Sequence, residues 1–184
     1  MARGRGQSGR SESARKRSPR LAGQACQEGH GESMSPPSHN TAPTPLFDRI
    51  HQSFLRQGMM QQLGARLDRV APGEVDIALP YSERVTQQQG GFHGGAMGAL
   101  ADIAGGYAAL TVAPEGMEVT TVEYKINFLA AYQGGELRAV GKVLRAGKRL
   151  IVTTVLVQHV SAAGKTSDCA VMQQTVMPVP KIYD

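Results

Sequence analysis

A chain of 184 residues, 41% hydrophobic and 19% charged, has the length and apolar content of one folded domain and is short for two. No run approaches the roughly 18 consecutive apolar residues of a membrane-spanning helix, and no apolar stretch follows the N-terminal charges as a secretory signal requires. The net charge of +5 is uneven: residues 1–33 carry seven Arg and Lys against three Glu, or +4, and the remainder 13 basic against 12 acidic residues, or +1. The folded part therefore offers no broad basic surface for nucleic acid.

Residues 1–44 are rich in Ser, Gly, Arg and Pro and nearly free of large apolar side chains. Such a segment cannot bury enough surface to offset its ordering entropy, so a disordered basic tail is expected there and the domain over 45–184. A solvated extension fits this composition best. A grip on RNA or lipid, and a true start at Met34 that leaves 1–33 outside the protein, stay open; three Glu count against a transit peptide.

Thr44 can cap a helix whose first position suits Pro45, and Leu46, Phe47, Ile50 and Phe54 form its apolar stripe up to Gly58. Residues 62–70 and 74–79 read as strands joined by a turn at Ala71-Pro72-Gly73, and 81–92 as a loop. Residues 93–112, an Ala, Gly, Leu, Met and Ile segment without proline, read as one buried helix. Residues 118–131, 135–145, 149–161 and 166–177 are rich in Val, Thr, Ile and Tyr and read as strands. Their connections are too tight for crossovers, so the sheet is antiparallel, with hairpin turns at 146–148 and 162–165. One apolar helix and one long curved sheet bury each other if the sheet wraps the helix. That is an α+β fold of the hotdog arrangement.

The central helix carries five glycines, Gly94, Gly95, Gly98, Gly105 and Gly106, each costing about 0.5–1 kcal/mol against alanine. Gly94, Gly98, Asp102 and Gly106 fall at spacings of four and form a stripe without bulk around one carboxylate. Met97, Leu100, Ala104, Tyr107 and Leu110 form the bulky face toward the sheet. Asp102 has no basic residue within nine positions except His93, and a buried carboxylate is rare unless paired or functional. His93-Gly94-Gly95 opens the helix, where free amides and the dipole can stabilise an oxyanion. His93 itself reads first as a cap. Gly94 and Asp102 lie about 12 Å apart along one helix, too far to serve one carbonyl. Two antiparallel helices from two subunits bring them together, so an obligate dimer with shared sites is expected.

Gln87, His93-Gly94-Gly95 and Asp102, nine residues after the His, resemble the hotdog-fold acyl-CoA thioesterases of the phenylacetate-degradation type; the resemblance covers about 45–180. It implies hydrolysis of an acyl- or aryl-CoA thioester to the free acid and coenzyme A. The acid, Asp102, is nucleophile or general base. An amide after His93, that of Gly94, polarises the carbonyl, Gln87 assists it, and Thr121 on the next strand positions the water. It also implies a homo-oligomer, at least a dimer and in the fuller assembly a tetramer. Arg145, Lys148 and Arg149 surround a hairpin that in the family lies near the coenzyme A entrance; as a phosphate grip or an ordinary solvated hairpin they weigh evenly. No cofactor or metal is implied, since His30, His39, His51, His159, Cys26 and Cys169 show no ligand spacing. Two cysteines without a framework fit a reducing cytoplasm. Two rivals remain: a non-catalytic acyl-CoA-binding hotdog protein and a hotdog hydratase or dehydratase.

Overall fold

The computed structural model describes residues 44–183, and the expectations for the N-terminal tail lie outside them. Helix α1 (Pro45–Phe54) starts as its sequence demands. The Thr44 hydroxyl accepts from Phe47 N–H at 3.1 Å, Pro45 takes the first turn, and Ile50 and Phe54 are buried. A second helix, α2 (Gly58–Leu63), occupies the start of what reads as a strand from 62. Met, Gln and Leu are good helix formers, and Gly64 ends the helix at φ +78°, so strand β1 begins only at Arg66 (Arg66–Ala71). The turn into β2 (Glu74–Pro80) places Gly73 at φ +75°.

Helix α3 (Gly94–Leu110) is the central helix, capped by His93. Strands β3 (Met117–Phe128), β4 (Glu136–Ala146), β5 (Ile151–Val160) and β6 (Thr166–Pro180) follow. The turn between β4 and β5 is one residue longer than the sequence implies, closed by Gly147 N–H donating to Leu150 O at 2.9 Å. All pairings are antiparallel in the order β1-β2-β4-β5-β6-β3. The expectation that no connection crosses over fails once: β3 pairs with β6, not β4, so residues 129–135 cross the end of β5 and β6. Leu129 N–H donating to Cys169 O and Phe92 N–H donating to Tyr132 O, both at 2.9 Å, hold that crossing to the sheet and to the loop before α3.

The sheet wraps α3, which packs on β2, β3, β4, β5 and β6. Leu100, Ala101, Ala104 and Ala108 are fully buried in that core. The contact is backbone-close on β4, where a Cβ on Gly141 would overlap Ala104 O. Among the described residues no helix is long and apolar enough to cross a membrane.

Candidate active site

Three elements meet at Asp102. The helix presents its half-buried carboxylate toward β3 and β6. Thr121 Oγ1 on β3 donates to Asp102 Oδ1 at 2.7 Å. Gln174 on β6 donates from Nε2 to the same Oδ1, to Asp102 O at 3.1 Å and to Thr121 Oγ1 at 3.0 Å. The other end of that amide, Oε1, accepts from Thr153 Oγ1 on β5 at 3.0 Å. Thr153 and Gln174 are directly paired across β5 and β6, and are 0% and 1% exposed. Asp102 Oδ2 has no hydrogen bond from the described residues. Asp102 borders a cleft of about 80 Å³ lined also by Gln57, Gly106, Tyr107, Val119 and Thr121.

The second centre is the start of α3. His93 Nδ1 accepts from Gly95 N–H at 2.8 Å, so the imidazole is the cap and the Gly95 amide is consumed. The Gly94 N–H has no partner among the described residues. It sits at the positive end of a 17-residue helix. His93 N–H donating to Val85 O at 2.7 Å fixes the entry to the helix.

Gln87 sits in the turn before this entry. Its N–H donates to Gly91 O at 2.9 Å, its Oε1 accepts from Gln89 N–H, and its Nε2 lies against Gly91. That leaves the Nε2 donor unused among the described residues. The structure thus groups Asp102 with Thr121 and His93 with the helix start at Gly94, and it holds Gln87 by bonds within the 87–91 turn that leads to that start. Residues Gln174 and Thr153 are absent from the sequence reading. The glycine stripe is not bare within the protomer either. A Cβ on Gly94 would lie 3.3 Å from the Phe128 ring and one on Gly98 3.9 Å from the Tyr124 hydroxyl, both side chains belonging to β3.

Tyr107 closes one side of the cleft. Its hydroxyl bonds to Ser53 Oγ at 3.2 Å and accepts from Gln57 Nε2 at 3.4 Å. Burial raises its phenol pKa, against the lowering effect of those two bonds, so the hydroxyl stays neutral there. Beyond Leu110 and Glu118 the cleft adjoins an open groove of about 900 Å³, whose walls include Arg49, Arg56, Lys181, Glu115 and Tyr183. Arg145, Lys148 and Arg149 are exposed around the β4–β5 turn and make no ion pair with the described residues. Among the described residues no group of His, Cys, Asp or Glu has the placement of a metal site.

A single helix wrapped by an antiparallel sheet, with a glycine-flanked His at the helix start and an acid in its middle, defines the hotdog-fold thioesterases. The chain belongs to the thioesterase superfamily, whose family pattern matches residues 89–162. It is 38% identical over 110 residues to a Saccharolobus solfataricus protein named for a proposed esterase activity, covering 60% of this chain and 74% of that one. A solved thioesterase family protein from Silicibacter pomeroyi superposes with a TM-score of 0.71 at 34% identity, covering 74% of this chain and 99% of that one. The Escherichia coli PaaI protein from the phenylacetic acid degradation operon shares the fold, with a TM-score of 0.63 at 21% identity over 73% of this chain and 93% of that one.

Proposed function

We propose that this protein hydrolyses acyl- or aryl-CoA thioesters, on sites each built from two copies of the chain. The observation that carries the reading is the Asp102 carboxylate, which lines the cleft with Oδ1 held by two donors and Oδ2 without a hydrogen bond from the described residues. Asp102 takes a proton from water, and the resulting hydroxide attacks the thioester carbonyl. The Gly94 N–H of the second chain donates to the developing oxyanion. Collapse expels the coenzyme A thiolate, which recovers the proton from Asp102. Gln87 Nε2, in the turn that leads to that helix start, is a second donor for the carbonyl oxygen.

Two magnitudes support sharing. Gly94 and Asp102 are separated by eight residues of helix, about 12 Å, while both groups must come within about 3 Å of the reacting atoms. The cleft of about 80 Å³ is also far below the roughly 300–1,000 Å³ of a pocket that encloses a small-molecule ligand. The second copy has a place to join. Strand β3 is the edge of the sheet and exposes Val122, Tyr124 and Phe128 at 56%, 47% and 52%. A twelve-residue edge with unpaired amides and apolar side chains is a template for another strand.

The register supports the coenzyme A reading. Thr121 pairs with Val176, Val176 with Ile151, and Ile151 with Ala146, so the cationic turn closes the same row across the sheet. Three strand spacings put the turn about 14 Å from Thr121. Thiol release from a panel of acyl- and aryl-CoA substrates tests the proposal. The parent should turn over at least one of them. Asp102→Asn should lose about 100-fold or more in kcat with its melting temperature unchanged. Binding without turnover would favour the non-catalytic rival, hydration of an enoyl-CoA the hydratase. Asp102→Asn within threefold of the parent would sink the catalytic assignment.

A further inference from the structure

Resting on that reading, we infer that Gln174 and Thr153 are positioning residues that decide which oxygen of Asp102 meets the substrate. A buried amide on a strand interior is expensive unless all its groups are bonded, since each lost partner leaves a desolvated dipole. Every group of Gln174 is used. Oε1 accepts from Thr153 Oγ1 at 3.0 Å, and Nε2 faces Asp102 Oδ1, Asp102 O and Thr121 Oγ1. The Asp102 carboxylate and carbonyl fix the amide orientation, because a flipped amide would set Oε1 against both, and the Thr153 hydroxyl then holds the far end of the amide in place. The carboxylate then takes two donors on Oδ1, which leaves Oδ2 as the oxygen without a partner on a residue that lines the cleft. The Thr121 hydroxyl is oriented by the same amide, so the acid and its neighbour move as one unit.

The backbone is shaped around this network. A Cβ on Gly105 would overlap Gln174 Oε1 and lie 2.8 Å from Thr153 Oγ1. Gly105 lies off the stripe of Gly94, Gly98 and Gly106, and a glycine there costs helix stability without any turn to form. The amide explains it. The chain spends that stability on room for a polar pair between helix and sheet, where an apolar pair with an alanine would pack more simply. A buried polar network is retained in this way when its geometry is used.

Substitutions at these two side chains separate positioning from packing. Gln174→Met keeps volume and removes the amide. It should lower kcat roughly 10- to 100-fold, as for displacement of a reacting group by about 1 Å, with KM changed less than threefold. Thr153→Val keeps shape and removes the hydroxyl; Thr153→Ser keeps the hydroxyl and removes a methyl. If the hydroxyl anchors the amide, Thr153→Val loses kcat and Thr153→Ser keeps most of it. The double variant Gln174→Met/Thr153→Val should be no worse than Gln174→Met alone. The Thr153 pair still reads the inference if Gln174→Met does not fold. Full activity in Gln174→Met or Thr153→Val, while Asp102→Asn is dead, would overturn the positioning role and leave the thioesterase reading standing. Activity in Asp102→Asn would instead overturn the reading beneath it.

Discussion

At the residue scale, Gly105 shows how a site is bought with local stability. Replacing it with alanine gains about 0.8–1 kcal/mol of helix propensity. It also drives a Cβ into Gln174 Oε1 and to 3.1 Å from Val155 Cγ2, in a core where overpacking costs about 1–3 kcal/mol. The overlap is with buried, bonded groups that have no room to give, so the clash wins. Gly105→Ala should lower the melting temperature by a few degrees and lower kcat with it. Thermal unfolding beside thiol-release kinetics checks both. A variant more stable than the parent and equally active would mean that the amide has slack. Cys169 bears on that assay. Burial pushes its thiol up to about 11, with the Asp168 charge adding to it, and it donates to Val157 O at 3.2 Å, so it adds little background at neutral pH.

At the element scale, the proposed dimer rests on the β3 edge of the sheet. Val122 sits in the bulge of β3 between Thr121 and Glu123 and is exposed, so changing it costs the protomer little. A lysine there is the kind of residue that blocks edge-to-edge pairing. Val122→Lys should shift sedimentation from dimer to monomer and abolish turnover, although it leaves Asp102 and Gly94 in place. A dimeric, fully active Val122→Lys would contradict an interface on β3. The strands and α3 were legible because their composition changes sharply at Pro114 and their periodicities are long. Helix α2 was hidden, since six residues carry too little periodicity to compete with the strand pattern that begins beside them. The crossing of β3 past β5 and β6 was hidden too, because strand pairing over such distances is set by the curl of the sheet rather than by any local signal. Asp102, Thr121 and the helix start could be found from the motif. Gln174 and Thr153 could not, since a lone Gln or Thr in a strand has no spacing to mark it; the off-stripe Gly105 was the one sign that something polar pressed on the helix there.

At the scale of the whole molecule, the proposed function gives one protomer two half-sites: an acid with its supporting network in the middle of α3, and an amide at the start of α3. The most direct measurement mixes two inactive variants. Asp102→Ala removes the acid. Gly94→Pro removes the amide donor, at a position where proline suits the first turn and follows a residue at φ −72°, ψ 134°, already extended. The ring will crowd Phe128, which is half exposed and has room to move. In a mixed dimer one site receives both defects and the other receives neither. Half of randomly paired dimers are mixed, and one site in two works, so re-associating equal amounts should restore thiol release to about one quarter of the parent. No recovery, with both variants folded and mixed dimers shown to form, would contradict a site shared between two chains.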